Sequence, residues 1–274
     1  LFIFEKVGML RKLYTFALYC ALPFIFLRLW LRSRREPGYR QRWLERLGHV
    51  NKNSNKSCIW LHAVSLGEVK AALPLIRQIQ QSMPEIIVVV TTTTVTGSQA
   101  VKKNLGDSVI HSFVPLDYPT AVKRFLKTVK PEIVIIMETE IWPNILSACR
   151  QSAIPVILAN ARLSAKSAQG YNKIKPLLKP ILQAFSLIAA QTAEDAARFK
   201  TIGAPTDRIK ILGNIKFDIT IDKTIEHKAH DLKQHFLPQL SSRKIIIAAS
   251  THEGEEAVLL QAFAQSLQHD PTLL

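Results

Sequence analysis

Residues 132–144 read EIVIIMETEIWPN. Ile133–Met137 are apolar without a break, and Glu138 and Glu140 follow with one residue between them. A strand with one wet face alternates apolar and polar residues, whereas an unbroken Val/Ile run belongs to a strand covered on both faces. Working outward, the pattern recurs at Cys58–Val64 (CIWLHAV), Glu85–Thr91 (EIIVVVT), Val109–Val114, Pro155–Ala159 and Ser186–Ala190. Helical patterns separate these runs at Gly67–Ser82, Thr96–Leu105, Pro119–Lys130, Trp142–Ser152, a stretch reaching about Phe185, and Ala193–Ile202. Such alternation predicts an α/β fold with a doubly wound parallel sheet. Ligands of such sheets bind beyond the carboxyl ends of the strands.

Toward the N-terminus, Leu13–Leu27 (LYTFALYCALPFIFL) contains no charge, and Arg28, Arg32, Arg34 and Arg35 follow. A helical span needs about 20 apolar residues. Fifteen are short, but flanking Arg and Lys can snorkel to headgroups. Positive charge after the run marks a cytoplasmic side. No small-residue cleavage site follows, which argues against a signal peptide. The segment reads as a single anchor or a monotopic helix, with a buried core helix as the plain alternative. Met9 resembles a natural start. Residues 40–47 (RQRWLERL) read as a short amphipathic basic helix ending at Gly48, before a polar linker over 51–57.

Toward the C-terminus, residues 219–240 read as a charged connector. Lys244–Ala249 (KIIIAA) predicts a strand and Glu253–Gln268 a helix, the opening of a second α/β domain. The expected divisions are 1–35 for the anchor and its basic flank, 36–218 for the first domain, 219–240 for the connector, and 241–274 for the start of the second.

The 274 residues are 47% hydrophobic and 21% charged, which excludes a largely disordered chain. The net charge is +15, and residues 1–50 supply +7 of it from ten Lys/Arg against three Asp/Glu. Basic charge beside an apolar run suits an anionic membrane surface, and no nucleic-acid-binding signature is present. Cys20, Cys58 and Cys149 are too scattered for a disulfide framework or a zinc site. The eight histidines lack ligand spacing, so no catalytic metal is expected. The Thr91–Thr94 run lacks the spacing of a phosphate loop or a dinucleotide fingerprint.

Polar clusters fall where strands give way to helices. In HAVSLGE (62–68), Gly67 is expected to let the backbone turn, and Glu68 is a candidate general base or simply a first-turn helix residue. In METEIWPN (137–144), Glu138 ends a buried strand and needs a partner, while Glu140 suits a helix cap. In NARLS (160–164), Arg162 can clamp a carboxylate or phosphate, or form a surface ion pair. In GNIKFD (213–218), Lys216 can offset charge on a departing phosphate, or is a solvated hinge lysine. In STHEGEE (250–256), Ser250, Thr251 and Glu253 form an N-cap signature or approach a donor nucleotide.

Taken in this order, these motifs resemble the Kdo (3-deoxy-D-manno-octulosonic acid) transferases of lipopolysaccharide assembly, from Met9 to the end of the chain. The resemblance implies a two-domain GT-B glycosyltransferase that moves Kdo from CMP-Kdo to a lipid A precursor (lipid IVA), with inversion. It implies a place at the cytoplasmic face of the inner membrane. The N-terminal domain would take the acceptor and the C-terminal domain the donor. It makes Glu68 the catalytic base, and Glu138 and Lys216 transition-state stabilisers. Ser65, Gly67, Arg162, Ser250, Thr251 and Glu253 are substrate-binding candidates. No cofactor, no metal and no nucleic-acid partner is implied. The CMP-binding positions are expected beyond Leu274, so residues 1–274 alone are not expected to be active. A sugar-nucleotide epimerase of the same fold and an inactive membrane-tethered binding module are the alternatives.

Overall fold

The computed structural model describes residues 2–52, 56–218, 223–236 and 246–273. The chain divides into two compact units, Leu1–Ile219 and Thr220–Leu274. In the first, helix α1 (Phe2–Arg32) precedes a 3-10 turn (Pro37–Arg40) and the one-turn α2 (Trp43–Arg46). The sheet strands are β1 (Cys58–His62), β2 (Ile87–Thr92), β3 (Ile110–Phe113), β4 (Pro131–Met137), β5 (Val156–Ala161), β6 (Phe185–Ala190) and β7 (Ile209–Ile211). Between them run α3 (Leu66–Ser82), α4 (Val95–Leu105), α5 (Pro119–Val129), α6 (Pro143–Gln151), α7 (Ala165–Lys173), α8 (Lys175–Leu182) and α9 (Ala193–Thr201). The second unit contains α10 (Lys223–Phe236) and α11 (Glu255–His269).

All seven strands form one parallel sheet in the order β3-β2-β1-β4-β5-β6-β7. Alternate residues feed two cores. Trp60, Val134 and Ile136 face the core that includes Phe125, Leu146 and Phe199. Leu61, Ile135 and Met137 face the core that includes Val69, Ile76 and Val101. The unbroken apolar runs thus have covered faces on both sides, as the doubly wound reading requires.

Several expectations change. β7 went unread because it has three residues and lies at the sheet edge, where Lys210 and Ile211 are exposed. Residues 40–47 are not one amphipathic helix. Arg46 is almost fully buried, donates to the Thr93 carbonyl at 3.0 Å and lies 4.2 Å over the Phe113 ring. Burial lowers its pKa to about 10. Of the KIIIAA strand, Lys244 and Ile245 lie outside the described residues, and Ile246–Ala249 are not in a strand.

The N-terminal helix does not stand apart. The Tyr14 hydroxyl donates to Asp117 Oδ2 at 3.0 Å, Tyr118 donates to the Leu18 carbonyl at 2.7 Å, and Arg11 donates to Ser147. Asp117 also accepts the first backbone N–H groups of α6, from Asn144 at 3.0 Å and Ile145 at 2.7 Å. A remote carboxylate therefore caps α6, and Glu140, the expected cap, does not. Asp117→Ala leaves these buried donors unpaired. It should lower unfolding free energy by about 3 kcal/mol in chemical denaturation, against about 1 kcal/mol for Tyr14→Phe.

Candidate functional site

Strand order reverses between β1 and β4, and both strands end at the same rim of the sheet. That reversal is where a doubly wound sheet opens a crevice. Glu68 follows β1 and Glu138 follows β4, so the two acids flank it.

Glu68 sits in the first turn of α3 with 8% exposure. The Val64 N–H donates to Oε2 at 2.8 Å, and the Ser65 hydroxyl donates to Oε1 at 2.9 Å. Ser65 is the N-cap and also receives the Glu68 N–H at 3.5 Å. This is close to a capping box, with the acid reaching back past the cap. Burial raises the Glu68 pKa above that of an ordinary glutamate, the Val64 and Ser65 donors oppose the rise, and the charge of Glu138 adds to it. The first-turn position of Glu68 is as read, and the same side chain is a held carboxylate beside the crevice.

Gly67 does not make the turn. Its φ is not positive, and a Cβ there would meet only the Ser65 hydroxyl, at 4.0 Å. What glycine leaves is an open first turn beside Glu68.

Glu138 is in the left-handed region (φ 59°), a strained setting for a residue with a side chain. Its N–H is held by the Ala159 carbonyl at 2.9 Å. Its Oε2 lies 3.5 Å from Arg162 Nε, and the Arg162 side chain is 60% exposed, so much of that guanidinium faces solvent. Thr139 donates to the Arg162 carbonyl and ties the two loops together.

Glu140, expected only as a cap, is the third acid. Burial and then the charge of Glu68 push its pKa to about 7. The Trp142 indole N–H offsets part of the rise without a hydrogen bond of normal geometry. Glu140 therefore takes up its proton near neutrality, with the charge of Glu68 adding to the effect of burial. Two acids separated by one residue after a buried strand were the visible signal, but their electrostatic contact with Glu68 was not.

His62, the last residue of β1, is buried. Its Nδ1 is 3.0 Å from Thr91 Oγ1, while Nε2 has no partner. Burial lowers its pKa to about 4, so it stays neutral.

Asn160, also left-handed (φ 52°), accepts the Ile215 N–H through Oδ1 at 3.2 Å. This contact fixes the 213–218 segment at the same rim. Ile215 packs on the α3-side core, and Asn214 Oδ1 accepts the Lys216 N–H at 3.0 Å. The Lys216 side chain is exposed.

Ser65, Gly67, Glu68, Glu138, Arg162 and the Lys216 segment therefore share one sheet rim. Ser250, Thr251 and Glu253 belong to the second unit. The expected Ser/Thr cap is absent there: Gly254 is the N-cap, Thr251 donates to Glu256 at 2.8 Å, and the His252 N–H donates to Glu255 at 2.9 Å. Among the described residues, no three His, Cys, Asp or Glu side chains converge as a metal-ligand set.

Residues 41–219 match the family model described as 3-deoxy-D-manno-octulosonic-acid transferase (kdotransferase). The chain belongs to this family of glycosyltransferases. It is 42% identical to the 3-deoxy-D-manno-octulosonic acid transferase of Haemophilus influenzae, over 97% of this chain and 62% of that one. It is 37% identical to a probable mitochondrial 3-deoxy-D-manno-octulosonic acid transferase of Arabidopsis thaliana, over 97% and 60%. The chain thus spans about three fifths of the length of these relatives. In fold it is similar to a UDP-GlcNAc 2-epimerase from Neisseria meningitidis (TM-score 0.52, 16% identity, 79% of this chain and 63% of that one). A glycosyltransferase from Rickettsia africae is comparable (TM-score 0.50, 13% identity, 79% and 59%). The α/β, GT-B type of fold expected for the first domain therefore holds for the first unit of this kdotransferase-family chain.

The carboxylate cluster predicts a readable coupling. Glu68→Gln removes one negative charge, so the Glu140 midpoint should fall below about 7 in a carboxyl-carbon NMR titration. Glu140 is more easily protonated when folded, so its contribution to stability is full below about 4.5 and is lost as pH rises through about 7. Glu140→Gln should accordingly stabilise the protein at pH 8 and lose that advantage as pH falls toward 4.5.

Proposed function

We propose that the whole protein is an inverting transferase that moves Kdo from CMP-Kdo to a lipid A precursor (lipid IVA) at the cytoplasmic face of the inner membrane. The observation that carries the reading is the buried, hydrogen-bonded Glu68 carboxylate at the β1/β4 crevice. In this reading Glu68 takes the proton from the acceptor hydroxyl as its oxygen attacks the anomeric carbon of Kdo. The bond from that carbon to the CMP phosphate oxygen breaks, and the electron pair leaves with CMP. Lys216 offsets the charge on the departing phosphate, and Glu138 stabilises positive charge building on the sugar ring. Ser65, Gly67 and Arg162 line the acceptor side. Ser250, Thr251 and Glu253 serve the donor, together with the rest of the donor-binding domain. No metal and no other cofactor has a role.

Family membership and the apolar N-terminal helix support this reading over the epimerase, which rests on a shared fold alone.

The test uses the full-length protein in membranes, with CMP release from CMP-Kdo followed against a lipid A precursor. Glu68→Gln keeps an oxygen for the Val64 N–H but removes the base, so it separates the cap from the chemistry. It should lower kcat by about 10²–10⁴-fold with no loss of thermal stability. Near-normal turnover in this variant would remove Glu68 as base. Because burial raises the Glu68 pKa, the acid limb of the wild-type pH–rate profile should lie above the range of an ordinary glutamate.

A further inference from the structure

Helix α1 is long and apolar enough to cross a bilayer over Arg11–Arg32. Its surroundings point elsewhere. Arg11, Tyr14, Thr15, Leu18, Leu22, Phe26 and Leu29 are all partly covered, and they recur every three or four residues. The covered stripe rests on the globular domain along its length. Arg11 meets Ser147, Tyr14 meets Asp117, Thr15 meets Asn144, and Phe26 packs on Trp43 with ring centroids 5.0 Å apart. Arg11 to Phe26 covers about 22 Å of helix.

The opposite stripe is bare and apolar: Leu13, Phe16, Cys20, Phe24, Leu27 and Leu31. To cross a hydrocarbon core of about 30 Å while docked, α1 would carry the exposed Lys123 and Lys127 of α5 into lipid. To cross undocked, it would strip those hydrogen bonds.

Beside α1 lies a groove of about 880 Å³ between α1, α5 and α6. Arg11 and Lys12 border it from α1, and Lys123, Lys127 and Lys130 from the α5 side. Its lining contains no acid, and its apolar part includes Leu126 and Ile154. Five cations over an apolar floor complement an anionic phospholipid, with the phosphate among the lysines and the acyl chain against the floor.

We infer that α1 lies in the plane of the membrane, its bare stripe sunk into one leaflet, and that the α1/α5/α6 groove seats an anionic phospholipid of that leaflet. This rests on the membrane-tethered reading of the protein, and not on the transfer chemistry.

The test reconstitutes the full-length protein on vesicles of phosphatidylglycerol and phosphatidylethanolamine (1:3). Nitroxides are placed at Cys20 and, in a Cys20→Ser background, at Leu13→Cys and Leu27→Cys. An in-plane helix gives three equal depths by power-saturation EPR. A crossing helix places Cys20 about 10 Å deeper than both ends, which would overturn the inference while leaving the tether intact. Replacing Lys123, Lys127 and Lys130 with Gln should weaken binding to these vesicles about fivefold per lysine, roughly a hundredfold in all. It should not change binding to pure phosphatidylcholine. Lys102→Gln with Lys103→Gln on α4 is the control. An equal loss in the control would overturn the groove. Absence of vesicle binding, or burial of the bare stripe in a lipid-free dimer, would overturn the inference and the tether together. CMP release would still test the transferase independently.

Discussion

The pairing of β1 with β4 sets the position of everything else in the first unit. Those strands are far apart in sequence, yet Ile59 to His62 pair in register with Ile133 to Ile136. From β1 the chain winds outward to β2 and β3, then returns to β4 and winds the other way. The two loops that leave this central pair diverge to opposite faces and cannot fill the space above it. Both loops carry acids. The sheet thus gathers charge at the one rim position that its own winding leaves open.

Gathering acids there has a cost in solvation, and the structure meets it with backbone donors. Glu68 is held by the Val64 N–H and the Ser65 hydroxyl at the amino end of α3, where the helix dipole also favours an anion. Glu138 has Arg162, and Glu140 keeps its proton up to about neutral pH. A carboxylate that caps a helix is fixed in place, which is what the proposed mechanism asks of a base at Glu68.

The sheet was legible because strands buried on both faces leave unbroken Val/Ile runs, and because each cluster falls at a strand end. GNIKFD joined the others through its motif rather than through any periodicity. Other features were invisible for physical reasons. The burial of Arg46 depends on the Phe113 ring and the Thr93 carbonyl, both remote in sequence. Asp117 reads as an ordinary loop acid until α6 is brought against it. Gly67 looked like a turn glycine, but its backbone is ordinary and its contribution is an absent side chain. α1 is apolar around its whole girth, so its two stripes, one docked and one bare, cannot be told apart by composition.

The Asp117 junction has a practical side. One carboxylate receives both the Tyr14 hydroxyl and the leading N–H groups of α6, and α6 begins at the end of the METEIWPN loop. Trimming the first thirty residues to obtain a soluble preparation would therefore not be a neutral cut. It would uncover Asp117, admit water to a buried acid whose pKa burial has raised to about 7, and loosen the helix start directly behind Glu138 and Glu140. A shortened preparation would carry the mark of its missing helix at the very loop whose chemistry it was made to study.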